Sequence, residues 1–121
     1  MTGTVSASLE PRLPLRLRDV HGVEHVVEAV LDTGFDGELV LPEDLIEALG
    51  APWAEARYGR LADGTEILTD IYEVDLEWNG VWTTAFAEAL PSTLVGVSLC
   101  AGLGLTVDFV PGGSVRLSPL P

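Results

Sequence analysis

The chain has no lysine. Its six basic residues are all arginine, set against 19 acidic residues, and the formal net charge is −13. A surface so poor in cations supplies no phosphate-binding stripe and no attraction to anionic lipid, so neither nucleic acid nor a membrane is expected as a partner. The same imbalance keeps a globular protein soluble, and it favours protonation of nearby carboxyl groups, hence activity below neutral pH. Cysteine is almost absent too. Cys100 stands alone, which rules out an internal disulfide and leaves it without company for a metal site; no cofactor is expected, and a reducing, cytoplasmic location is the simplest expectation. Met1–Arg18 lacks the basic start and continuous apolar run of a signal peptide. The longest uncharged stretch, Ala89 to Val107, approaches bilayer-spanning length. It contains Pro91, Ser92, Thr93, Gly96, Gly102 and Gly104, and reads better as a buried strand, a turn and a strand.

What is present is a globular pattern. Hydrophobic residues make up 47% of 121 residues, enough for one domain spanning 1–121 with a core of about 12–118. Thirteen glycines and eight prolines call for short strands and frequent turns. Arg12 to Arg18 alternates apolar and polar residues, as a half-buried strand does, and Val23 to Leu31 reads as a second strand that becomes more buried toward its end. Glu38–Leu41 is a short strand. Pro42–Leu49 is a short helix with acids in its first turn and Gly50 at its end. Tyr58–Leu61 and Thr65–Leu68 flank an Asp63-Gly64 hairpin turn. Tyr72–Trp78 and Val81–Phe86 flank a second turn at Asn79-Gly80. A helical turn at Val97–Ala101, strands at Leu103–Phe109 and Val115–Leu117, and a fraying tail at Ser118–Pro121 complete the expectation. The fold class is all-β, a closed β-barrel with one or two short helices.

The densest chemical signal lies at the end of the second strand. The apolar run Val26 to Leu31 leads directly into Asp32-Thr33-Gly34-Phe35-Asp36, followed by Leu39-Val40-Leu41-Pro42, a central hairpin, Leu94-Val95-Gly96, and Val107-Asp108-Phe109. Hydrolysis of a peptide bond without a metal or a covalent intermediate needs two adjacent carboxyl groups sharing one proton, one to activate water and one to polarise the carbonyl. A glycine beside the acid allows close backbone approach, and a hydroxyl beside it can tie the loop to a neighbour. The extended pattern, from about Val23 to Leu117, resembles the retropepsin-like aspartic proteases, especially their stand-alone bacterial relatives. The resemblance implies a homodimer, because the chain holds a single Asp-Thr-Gly. It makes Asp32 the catalytic carboxylate, one from each subunit, acting on a peptide or protein substrate. Thr33 would bond across the subunits, Gly34 would donate its N–H to the acid pair, and Gly96 would lie behind the loop. Leu61, Ala62, Asp63 and Gly64 would form the flap over substrate. Viral members carry an arginine shortly after the apolar-apolar-Gly motif where this chain has Val97 and Ser98, and they interleave both chain ends in one sheet, for which Pro119 and Pro121 are poorly suited.

Rival readings are weaker. Asp32, Asp36, Gly37 and Glu43 partly imitate a calcium loop, but Gly34 occupies a ligand position and the preceding segment is β-like. Gly96-Val97-Ser98-Leu99-Cys100 misses a nucleophile elbow by its last residue. Glu73, Asp75 and Glu77 recur at every second position, as the wet face of a strand does. Trp53, Trp78 and Trp82 read as core or dimer-contact residues. The alternative to an aspartic endopeptidase is a non-proteolytic dimeric β-barrel that binds peptide or protein and retains Asp-Thr-Gly as scaffold.

Overall fold

The computed structural model describes residues 1–60 and 63–121. Alternation decides the first long pair of strands. In β2 (Pro11–Arg18), Leu13, Leu15 and Leu17 are fully buried, while Arg12, Pro14, Arg16 and Arg18 alternate with them on the outer face. Those arginines meet carboxylates on both neighbouring strands: Arg16 pairs with Glu24 and, at 2.9 Å, with Glu77, and Arg18 reaches Asp75 at 3.6 Å. Pairs this open to solvent add little to stability. Arg18 also stacks over the Trp82 ring, 4.3 Å from its centroid. The turn from β2 into β3 (Glu24–Leu31) is organised by Asp19. One carboxylate oxygen accepts the N–H groups of His21 and Val23, and the other lies 3.0 Å from His25 Nε2. The His25 bond first, and then these backbone donors, hold the Asp19 carboxyl below its usual range.

The chain continues through β4 (Leu39–Leu41), α1 (Glu43–Leu49), β5 (Trp53–Arg60), β6 (Glu66–Trp78), β7 (Val81–Ala89), β8 (Leu94–Val95), a 3-10 turn at Val97–Cys100, β9 (Leu103–Val107) and β10 (Ser114–Pro119); β1 is Thr2–Val5. The protein is mostly β with one α-helix. The strands hydrogen-bond in the order β5-β6-β7-β4-β8-β3-β2-β1-β10-β9, and β6 pairs again with β2. That second pairing joins Leu17 to Leu76, so the path β2-β3-β8-β4-β7-β6 returns to its start. Leu15, Leu17, Leu39, Leu41, Leu76 and Val95 form the main core. A second cluster, Val5, Leu13, Leu31, Val115 and Leu117, lies beneath the terminal strands. Trp78 packs against both clusters, and its indole N–H donates to the Leu99 carbonyl at 2.9 Å. Within the main core, α1 contributes Ile46 and Leu49.

The structure departs from the sequence reading at several points. Thr2–Val5 is a strand held between β2 and β10, a pairing across the whole length of the chain that no local pattern announces. Glu66–Leu68 and Tyr72–Trp78 belong to one strand, β6, whose buried side changes along its length, from Thr69 and Ile71 on one face to Val74 and Leu76 on the other, so no single alternation runs through it. Its partner β5 begins at Trp53, which is 58% exposed and donates its indole N–H to Asp70, so Trp53 is not a core residue. The tail does not fray: Ser118 and Pro119 lie in β10, and the Leu120 N–H donates to the Gly102 carbonyl at 3.0 Å. On the side of β1 the bonding runs on to Leu117, whose N–H donates to the Met1 carbonyl and whose carbonyl accepts from the Met1 amine; among the described residues Pro119 has no partner there, so its missing N–H costs no bond. Among the described residues, no helix is long and apolar enough to cross a membrane.

Gly50 closes α1 in the left-handed region, at φ 64°, with its N–H on the Glu47 carbonyl. A Cβ there would meet Val20 Cγ2 at 2.8 Å. Gly50→Ala therefore combines backbone strain with a clash. It is expected to destabilise the protein by at least ~1–2 kcal/mol in chemical denaturation; an unchanged midpoint would contradict this account of the helix end.

Candidate active site

Asp32 follows β3 directly and is half-buried. Its N–H donates to the Val95 carbonyl at 2.9 Å, which carries the β3–β8 ladder one residue further. Gly34 then donates its N–H to Asp32 Oδ1 at 2.9 Å, and the Phe35 N–H reaches the Asp32 carbonyl at 3.2 Å. A Cβ on Gly34 would stand 3.2 Å from that same Oδ1, so the glycine leaves the carboxylate uncovered. Thr33 is exposed, and among the described residues its hydroxyl has no partner within the chain.

Gly96 sits against the back of this loop. Its N–H donates to the Glu38 carbonyl at 2.8 Å, and the Val97 N–H donates to the Phe35 carbonyl at 3.0 Å. A Cβ at Gly96 would overlap the Gly37 carbonyl oxygen and stand 2.6 Å from the Phe35 ring. Gly37 is crowded by the same ring. Phe35 therefore fills the room that two glycines leave, and the Ser98 hydroxyl, donating to the Asp36 carbonyl, closes the arrangement. Cys100 lies half-buried in the same turn, with its thiol on the Gly96 carbonyl at 3.7 Å; burial pushes its pKa up, which suits packing rather than nucleophilic chemistry.

The acid faces a cleft of about 880 Å³. The loop and β4 form its floor, with Asp32, Phe35, Glu38 and Val40. The β5–β6 hairpin supplies the opposite wall. Cross-strand register puts Arg57 opposite Thr69 and Gly59 opposite Ile67, and all four line the cleft. Of the flap expected at Leu61, Ala62, Asp63 and Gly64, Asp63 and Gly64 precede β6 at the end of this hairpin. Leu61 and Ala62 lie outside the described residues. Asp63 accepts the Thr65 N–H at 2.8 Å, and Gly64 has φ 89°; both are exposed and stand outside the cleft lining.

Asp36, quoted in the motif, also lines the cleft; sequence reasoning missed its other charged residues, Glu38, Arg57, Arg60 and Glu88. Glu38 accepts the Phe86 N–H at 2.8 Å. Arg57 pairs with Glu55. Glu88 is half-buried beside Gly37; loss of water raises its pKa, with Arg57 opposing the rise and Asp36 adding to it. One signal was available: Arg57 and Arg60 are two of only six basic residues, and both stand on the strand that leads into the hairpin turn. The rival motifs gain nothing here. Among the described residues, no three His, Cys, Asp or Glu side chains group as metal ligands.

No family model matches the chain, and no curated protein matches it in sequence. Its fold is similar to a solved structure of EIAV protease, a retroviral aspartic protease, complexed with the inhibitor HBY-793. The TM-score is 0.50 at 19% identity, over 74% of this chain and 84% of that chain. At that identity the likeness establishes the fold alone.

Two substitutions probe this construction. Gly96→Ala drives a methyl group into the Gly37 backbone, so the loop must move or the fold must loosen; a loss of about 3 kcal/mol is expected by urea titration. Glu88→Gln works in the opposite direction. A carboxyl whose pKa is raised by folding is destabilising once ionised, so the variant should melt higher than wild type above the raised pKa. The gain should vanish below the ordinary glutamate range, near pH 4. A variant that melts lower at neutral pH would show that Glu88 holds a favourable pair with Arg57.

Proposed function

We propose that the protein is an aspartic endopeptidase whose active site is completed by a second copy of the chain. Asp32 is the catalytic carboxylate. With its counterpart from the partner it would hold one proton, so that one carboxylate takes a proton from water while the other polarises the scissile carbonyl. The reading is carried by one observation: a half-buried carboxylate, accepting the Gly34 N–H, lines a cleft walled by a β-hairpin. The similarity to a retroviral protease fold supports it. Gly34 and Gly96 serve the loop, the Thr33 hydroxyl, without a partner among the described residues, bonds to the other copy, and the β5–β6 hairpin closes over an extended peptide. Acidic substrates should be poor ones, given the charge of −13.

A second reading rests on the same hydrogen bond. An Asp carboxylate accepting the N–H two residues on is also an ordinary Asx turn, so the loop could persist in a dimeric peptide-binding module without catalysis. Turnover of a peptide library across pH separates the two. Asp32→Asn should keep the wild-type circular dichroism spectrum and lose activity by about a thousandfold or more. Undiminished turnover in that variant would refute the assignment of Asp32. Binding of an aspartic-protease transition-state analogue with no turnover of any library peptide by wild type would favour the module.

A further inference from the structure

Among the described residues, only β5 and β9 end the run of paired strands. They are unlike each other. β5 is charged and almost wholly exposed, carrying Glu55, Arg57 and Arg60. β9, Leu103-Gly104-Leu105-Thr106-Val107, has no charged residue in a chain of net charge −13.

The direction of the free backbone groups on β9 follows from its ladder. Beyond one end of the strand the Asp108 N–H donates to the Ser114 carbonyl, and beyond the other the Leu120 N–H donates to the Gly102 carbonyl. Hydrogen-bonded pairs alternate along an antiparallel ladder. With Thr106 opposite Arg116 and Gly104 opposite Ser118, Gly104 and Thr106 turn their backbone groups toward β10. Leu103, Leu105 and Val107 turn theirs to the open side. The side chains of these same three residues share one face. Leu103 and Val107 pack on the cluster that contains Leu31, the residue before Asp32, while Leu105 between them remains 38% exposed.

Resting on the reading of a site completed by two chains, we propose that a second copy docks on this edge. β9 pairs antiparallel with β9 of the partner, and the two-fold axis passes beside Leu105. The open groups are symmetric about Leu105, so each outward N–H meets an outward carbonyl of the other chain with Leu103 opposite Val107, as a self-complementary interface requires. Like charges are kept apart, because no charged residue lies within the paired segment. The docking completes the cover over Leu105 and brings the two Leu31 clusters, each at the root of an Asp32 loop, to either side of one seam. The chain ends are not exchanged: β1 is flanked by β2 and β10 of its own chain, and β10 by β1 and β9.

Leu105→Pro tests this, because it removes an N–H that faces the open side and leaves the bonds to β10 untouched. In sedimentation, wild type is expected to run as a dimer and the variant as a monomer with an unchanged circular dichroism spectrum. Hydrogen exchange on wild type supplies a readout without mutation. The amides of Leu105 and Val107 should be slow at high protein concentration and fast on dilution, while those of Gly104 and Thr106 stay slow at both. A variant that remains dimeric, a wild type that is monomeric at every concentration, or open-side amides that exchange fast in a sedimenting dimer would overturn the interface. Retained peptide turnover by a dimeric Leu105→Pro variant would overturn the interface and leave the protease reading standing. Concentration-dependent protection of these amides in a protein that turns over no peptide would uphold the interface and count against the protease.

Discussion

The structure depends on a clamp only two residues long. Leu94 and Val95 form β8, which runs parallel to the end of β3 on one side and antiparallel to β4 on the other. Those two neighbours are the entry to and exit from the loop carrying Asp32. Backbone bonds at the Val95 carbonyl and from the Gly96 N–H continue the ladder into the loop. A loop of polar and glycine residues would otherwise sample many conformations, at ~1–2 kcal/mol of conformational entropy per ordered residue. Here its ends are fixed by sheet pairing and its middle by the Phe35 ring against Gly37 and Gly96. The glycines are needed for contact, not for an unusual backbone: Gly96 has φ −97°, a value open to any residue.

Electrostatics are layered around that clamp. Among the described residues, five of the six arginines make ion pairs with nearby carboxylates, chiefly on the outer faces of β2 and β3 and along the β5–β6 hairpin. The positive charge is therefore spent locally, and the remaining acids leave the chain strongly negative. Within the cleft, Arg57 and Arg60 on the hairpin face Asp36, Glu38 and Glu88 on the floor. Because Glu55 and Glu66 pair with these arginines on the hairpin itself, the wall carries little net charge, and the cleft offers an extended chain charged groups of both signs.

Much of this was legible in the residues, for local reasons. The alternation of Leu13, Leu15 and Leu17 specified β2 and its inner face. Asn79-Gly80 specified its hairpin, and both residues do take positive φ, 54° and 84°. Gly50 marked the end of α1, and the apolar run into Asp32-Thr33-Gly34 marked the loop. The illegible parts depend on distant partners. Thr2–Val5 has no strong alternation and becomes a strand only because β2 and β10 are there to pair with it. β5 is exposed along nearly its whole length, so no apolar face announced that it begins at Trp53. Glu88 could be placed in the cleft only once β7 was known to lie beside β4, a parallel pairing with no turn to signal it.

The pairing of Leu31 with Val95 also has a kinetic side. The two residues are about sixty positions apart, and a parallel contact of that span closes late, after the nearer hairpins have formed. A chain still emerging during synthesis would already contain Asp32 and yet lack β8, so its loop would have no fixed shape. The Asp32 carboxylate can gain its geometry only after the chain has been made through Val95, well after its own loop has emerged.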